Sequence, residues 1–182
     1  MNYLLTNQET DRLKFRKLEH SDFDFWVELF KDEITTQFLG MSEFKTANQC
    51  CEEWFNWTFH RYDNNLGGQN IMILKENNEI VGQSGLLVRE INNTFELEIA
   101  YSILPKYRQQ GFAIEGAQKC KDFAFENNFH NRLISMIFPN NINSKNVAVK
   151  NGMTLNRIEL YNDKKMEIYQ ISKIDWINSN LV

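Results

Sequence analysis

Two Pro and eight Gly in 182 residues leave no material for collagen-like, mucin-like or linker-rich architectures, which depend on those residues. The three cysteines, adjacent Cys50 and Cys51 with distant Cys120, draw neither an even disulfide framework nor a paired CxxC metal site. They read as reduced core thiols. No apolar run approaches the roughly 18 residues of a membrane span, so no membrane partner is expected. Met1 to Arg12 lacks a basic stretch followed by an apolar one, so no secretory leader is read and a cytoplasmic address is expected. The triplets Asn56-Trp57-Thr58 and Asn92-Asn93-Thr94 fit the glycosylation pattern and mean nothing without secretion. An excess of positive charge is also missing: 20 Lys+Arg against 24 Asp+Glu give a net charge of −4. With no basic run to drive counterion release, nucleic acid is not an expected partner. Neither GxxxxGK[ST] nor GxGxxG occurs, and His20, His60 and His130 have no ligand-like spacing, so no metal is expected.

What is present is 42% hydrophobic content, including fourteen Phe, six Tyr and four Trp, enough for one domain over residues 1–182. Alternation from Arg12 to Leu18 predicts a strand with Leu13 and Phe15 on one side. Ser21 is placed to cap a helix whose Phe23, Trp26, Val27 and Phe30 form one stripe. A second helix is predicted from Thr46 to Tyr62, with Cys51, Trp54, Phe55, Thr58 and Tyr62 along one side as core or as a pocket wall. After Gly67-Gly68 the period becomes two. Strands are predicted over 70–75, 80–88 and 94–104, separated by Asn77-Asn78 and Asn92-Asn93, as an antiparallel meander. A helix follows from Gly111 to about Asn128, then a buried strand over 133–138 completing a right-handed β-α-β crossover. A short helix from Ser144 to Asn151 ends at Gly152, and two strands, 153–160 and 165–171, close the chain.

Chemistry concentrates at Tyr107-Arg108-Gln109-Gln110-Gly111-Phe112-Ala113, between a strand stopped by Pro105 and the start of the long helix. A helix's first turn leaves N–H donors unpaired and carries about half a positive charge, so a phosphate can sit there. Gly111 lets the anion approach the main chain, Ala113 is small for the same purpose, and Arg108 can add a charge. An ordinary helix start fits the same residues.

Arg108-x-x-Gly111-x-Ala113 lies within the string Glu98 to Glu115, and Asn141-Ile142-Asn143-Ser144 is followed by Lys150-Asn151-Gly152-Met153. In these two ordered blocks, over nearly its whole length, the chain resembles the GCN5-related N-acetyltransferases (GNAT), and within them the branch acting on ribosomal-protein N-termini. That resemblance implies a mixed α/β fold: a mostly antiparallel sheet of about seven strands with flanking helices and a central β-α-β unit for acetyl-coenzyme A. The pyrophosphate would lie on the amides of Gln109, Gln110, Gly111, Phe112 and Ala113. The pantetheine arm would run along Ile99, Ala100, Tyr101, Ser102, Ile103 and Leu104, with Asn141 tying it from the other side. Gln109 and Gln110 stand where Arg, Gly or Lys is frequent, and Ala100 where Gly is common, changes that bear on cofactor affinity and on the strand splay.

Transfer to an amine requires the neutral form, since an ammonium has no lone pair. Period two puts Glu96, Glu98 and Ala100 on one strand face. Glu98 is the candidate base, directly or through a water, with Glu96 raising its proton affinity by like-charge repulsion; the alternative is a solvated face. By resemblance Ser144 would protonate the leaving thiolate, and its position before a helical run equally fits an N-cap. An N–H near Ile99 or Ala100 would meet the oxyanion. Cys120, on the helix's apolar face, does not suit a covalent relay, and Tyr101 and Tyr107 read as packing. The expected function is acetyl transfer from acetyl-coenzyme A to a primary amine, with a non-catalytic acyl-coenzyme A-binding module as the alternative. A protein N-terminus, a free amino acid, a polyamine and an aminoglycoside all remain open as acceptors. Residues 30–44 and the Thr46–Tyr62 helix would wall a partly apolar acceptor pocket. Monomer and homodimer are both open, with the tail around Trp176 packing within one chain or against a second.

Overall fold

The computed structural model describes residues 1–41, 45–179 and 181. Alternation works as predicted in β1 (Leu13–Arg16), where Leu13 and Phe15 are buried and Lys14 is exposed. β1 pairs antiparallel with β2 (Gly67–Leu74), and β2 with β3 (Ile80–Ile91). β3 pairs with β4 (Thr94–Ile103) across Asn92 and Asn93, whose φ values of 50° and 60° are those of a tight hairpin turn. β4 reaches its parallel neighbour β5 (Arg132–Ile137) through the helix α4 (Phe112–Glu126). With β6 (Thr154–Tyr161) and β7 (Lys164–Ser172) the sheet has seven strands in the order β1-β2-β3-β4-β5-β7-β6, mixed and mostly antiparallel, as the resemblance implied.

Helices cover both faces. On one lie α1 (Phe23–Phe30) and α3 (Ala47–Asp63), locked by Phe23 against Phe55 with ring centroids 5.2 Å apart. The stripe predicted for α3 is its packed side: Cys51, Trp54, Phe55 and Thr58 are buried, and Thr46 with Gln49 forms a capping box. On the other face α4 presses close to the strands. A Cβ at Gly116 would stand 2.6 Å from Met72 Sδ and 3.1 Å from Ser84 Cβ, so glycine sets that approach. Complete burial of side chains such as Leu29 and Phe125 contributes about 1.5–3 kcal/mol each.

Two local expectations are corrected, two short helices are added and the tail around Trp176 is placed. Ser21 caps nothing: it lies inside a single 3-10 turn, His20–Asp22, where Asp22 accepts from the Glu19 amide at 2.9 Å and from Arg16 at 2.7 Å. A longer side chain with a cationic partner outcompetes the hydroxyl. Ser144 is not an N-cap either, because α5 (Ile142–Lys150) starts earlier and the Asn141 carbonyl Oδ1 accepts from the Ser144 amide at 3.1 Å. Two short helices join those predicted, α2 (Glu33–Phe38) and α6 (Lys173–Ser179), each too brief for a 3.6 period to register. Trp176 packs within the chain, donating to Asp122 at 2.8 Å with its ring 5.4 Å from Phe125.

Candidate functional site

Pro105 opens one 3-10 turn, Pro105–Tyr107, and the chain then swings through Gln109 at φ 62° and Gly111 at φ 85° into α4. Left-handed backbone alternating with right-handed is the conformation in which successive N–H groups form anion-binding concavities. Among the described residues, no amide from Gln109 to Ile114 has a hydrogen-bond acceptor; the first α4 amide to find one is that of Glu115, on Gly111 O at 3.1 Å. Phe112 buries its ring, 6.2 Å from that of Tyr107, so its amide alone serves this concavity. The Gln110 side chain folds back onto Lys106 O at 3.0 Å.

Arg12 stabilises the loop, a role the sequence reading missed. It donates to Gln110 O at 3.1 Å, pairs with Glu115 at 2.6 Å and lies 4.4 Å over the Phe112 ring. Burial opposes ionisation of Glu115, but hydrogen bonds from Thr10 and Arg12 outweigh it and hold this carboxyl below the usual range. The signal was absent from the motif because Arg12 stands about a hundred residues away in the chain.

Arg108 does not offer a free charge to the loop. Its guanidinium reaches Asp32 at 2.6 Å, Thr35 at 2.7 Å and Ile103 O at 3.3 Å, tying the loop to α2. Asp32 caps α2 through the Thr35 amide at 3.0 Å. Burial raises the Asp32 carboxyl, yet the bonds from Arg108 and Thr35 prevail and leave it below the usual carboxylate range.

β4 and β5 pair at one position, Glu98 with Ile134, and separate beyond it. Ser135 Oγ donates to Ile99 O at 2.9 Å and Ser84 Oγ to Ala100 O at 3.2 Å, so main-chain groups of odd residues face β5 and those of even residues face β3. Within the stretch Ile99 to Leu104, Tyr101 and Ile103 therefore present their main chain to the gap. Ala100 and Ser102 point the other way, and Leu104 donates to Val81 O at 3.0 Å with its side chain in the core. An N–H of Ala100 cannot meet an oxyanion in that gap.

Glu98 is 5% exposed and Glu96 is 2%, which excludes a solvated face. Glu98 Oε2 pairs with Arg89 Nε at 2.6 Å, and Oε1 lies 3.4 Å from the Met136 amide. Glu96 is not the repulsive partner expected of it, because Arg132 Nε at 2.9 Å and Arg157 at 3.4 Å occupy its carboxylate. Across the gap the Tyr101 hydroxyl donates to Ser144 O at 3.0 Å, and burial pushes this phenol well above its ordinary range. Tyr101 thus stays a neutral donor rather than mere packing; Tyr107 donates to Glu79 at 2.5 Å.

All this opens onto one cavity of about 1000 Å³. Arg108, Gln109, Gly111, Ala113, Asn141 and Ser144 line its loop end, and Glu98 its middle. Trp54 and Trp57 of α3, Arg89 of β3 and Tyr161 of β6 line the far end, and Phe38 of α2 lines the cavity beside Phe138, with ring centroids 6.2 Å apart. Residues 42–44 of the expected wall lie outside the described residues. Among the described residues no group of three or more His, Cys, Asp or Glu is arranged to hold a metal ion.

A splayed parallel pair, with a helix amino-terminus at one end of the gap and an aromatic chamber at the other, defines an acyltransferase. Residues 12–154 match the acetyltransferase (GNAT) domain family, and the chain belongs to that family. YkkB of Bacillus subtilis (strain 168) is 27% identical over 171 residues, 91% of this chain and 95% of its own. The N-acetyltransferase p20 of Bacillus licheniformis is 27% identical over 159 residues, 85% and 84% of the two chains. Among solved structures, RimL, a ribosomal L7/L12 α-N-protein acetyltransferase in complex with coenzyme A, superposes with a TM-score of 0.72 at 16% identity, covering 90% of this chain and 95% of its own. Spermidine N-acetyltransferase from Vibrio cholerae, in complex with coenzyme A and spermine, gives 0.72 at 15% identity over 93% and 100%. At such identities the two structures establish the fold.

Proposed function

We propose that this acetyltransferase moves an acetyl group from acetyl-coenzyme A to a primary amine by direct attack. The observation that carries this reading is the run of unsatisfied amides from Gln109 to Ile114 at one end of a gap that has Glu98 at its middle. The diphosphate would rest on those amides, and the arm would add itself beside the main chain of Tyr101 and Ile103, reaching across to Asn141. A neutral amine then attacks the thioester carbon, forming C–N as the carbonyl oxygen gains charge; Glu98, through Oε1 and a water, takes the proton the nitrogen sheds. Collapse breaks C–S; the Ser144 hydroxyl donates a hydrogen bond to the departing thiolate, and the proton that Glu98 took from the nitrogen passes through the same water to the sulfur or to solvent. A free thiol has a pKa of about 8.5, so only a weak donor is needed. Release of free thiol from acetyl-coenzyme A, measured with a panel of primary amines and peptide N-termini, tests the reading. Amine-dependent thiol release is expected; ligand binding with no turnover on any amine overturns it in favour of an acyl-coenzyme A-binding module.

A further inference from the structure

Aromatic pockets commonly receive cations, because the face of each ring carries negative potential. Here the protein's own cations already stand over three of those rings, Trp57, Tyr161 and Phe138. The Arg61 and Arg89 guanidinium carbons stand 4.8 and 5.5 Å from the Trp57 ring centroid. Arg89 also stands 6.0 Å from Tyr161, and Lys164 Nζ 5.9 Å from Phe138. The carboxylates are engaged too. Among the described residues the cavity is lined by Glu53, paired with Lys45, and by Glu98, paired with Arg89 at 2.6 Å. Arg61, 5% exposed, donates to the carbonyls of Leu66 and Val88, and Lys164 at the mouth donates to Gly40 O at 3.2 Å; neither has a carboxylate partner among the described residues.

We infer that, given the amine-acetylating reading above, the acceptor carries its reactive amine on an apolar body with no second positive charge. A second ammonium would be brought against Arg89 in the half-buried interior, or against Lys164 at the exposed mouth, with no unpaired carboxylate among the described lining residues to offset the repulsion. An apolar body instead gains by covering Phe38, Met41 and Trp54, and a carboxylate on it is met by Lys164. The spermine of the Vibrio cholerae complex is therefore not carried over to this chain.

The test compares kcat/KM of the full chain with acetyl-coenzyme A for 2-phenylethylamine, phenylalanine and spermidine. Phenylalanine and 2-phenylethylamine are expected to exceed spermidine by about tenfold or more, since each tenfold is one 1.4 kcal/mol step and like-charge contact costs several. Lys164→Glu should narrow that gap, lowering phenylalanine and raising spermidine, while coenzyme A still raises the melting temperature as in the parent. Spermidine equal to or better than the other two overturns the inference and leaves amine acetylation standing. Should no amine be acetylated, the transferase reading fails. The inference is then decided by which amine raises the melting temperature of the coenzyme A-bound protein, spermidine doing so overturning it.

Discussion

Gly111 combines a φ of 85° with a close neighbour: an added Cβ would lie 3.2 Å from Arg12 Nη2. Gly111→Ala therefore costs about 1–2 kcal/mol of left-handed strain. It also displaces the arginine that fixes Gln110 O, so titration calorimetry should show weaker acetyl-coenzyme A binding beyond the stability loss seen in denaturation. At Glu98, replacement by Gln keeps shape and removes basicity. The expected result is a fall in kcat of about 10²–10⁴, with acetyl-coenzyme A affinity retained. The cysteines should be silent. Burial pushes the Cys51 and Cys120 thiols up to about 12, and Cys50 is raised as well. All three are buried and free. Ellman's reagent should titrate none of them in the native protein and three in denaturant, which also keeps a thiol-release assay clean.

At the scale of elements, α2 depends on one residue that serves both ends of the cavity. Asp32 caps α2 and holds Arg108 of the loop, so Asp32→Ala should lose about 0.5–2 kcal/mol as a cap and raise KM for donor and acceptor together. Its effect is tied to acid. The folded pKa lies below the ordinary 3.8, and that of Glu115 below 4.5, so their stabilisation is complete above those values and is lost as pH falls through the lower folded ones. Urea melts of Asp32→Ala and the parent should therefore converge as pH drops below the unfolded value. Gly116→Val, forced against Ser84 Cβ, should destabilise by about 1–3 kcal/mol and shift α4. The long elements were legible because periodicity over ten or more residues reports burial, as in α3, β3 and α4. The helix α2 was not, because Glu33-Ile34-Thr35-Thr36-Gln37-Phe38 is short and β-branched, and tertiary contacts from Arg108 hold it.

For the whole molecule, a ligand at 100 times its dissociation constant adds about 2.7 kcal/mol, which in a chain of this size raises the melting temperature by roughly 5–11 °C. Acetyl-coenzyme A should give that shift, and Gly111→Ala should reduce it. The donor end was legible because one contiguous loop builds it. The acceptor end was not, because Trp57, Arg89 and Tyr161 come from three distant segments, and the pairing of Glu98 with Arg89 needed the register that places Leu87 opposite Glu98. The two-residue turn at Asn92-Asn93 fixes that register; what it does not carry is that Arg89 reaches diagonally to Glu98 and not to Glu96 directly opposite.

The parting of β4 and β5 beyond Glu98 leaves a slot in the sheet, with the loop from Gln109 to Ile114 at one end and the Trp57 chamber at the other. Two molecules can enter by separate doorways and meet in the middle, so initial-rate lines should intersect in a double-reciprocal plot instead of running parallel. A single compound joining the coenzyme sulfur to an arylalkylamine would thread both doorways at once and bind more tightly than either half.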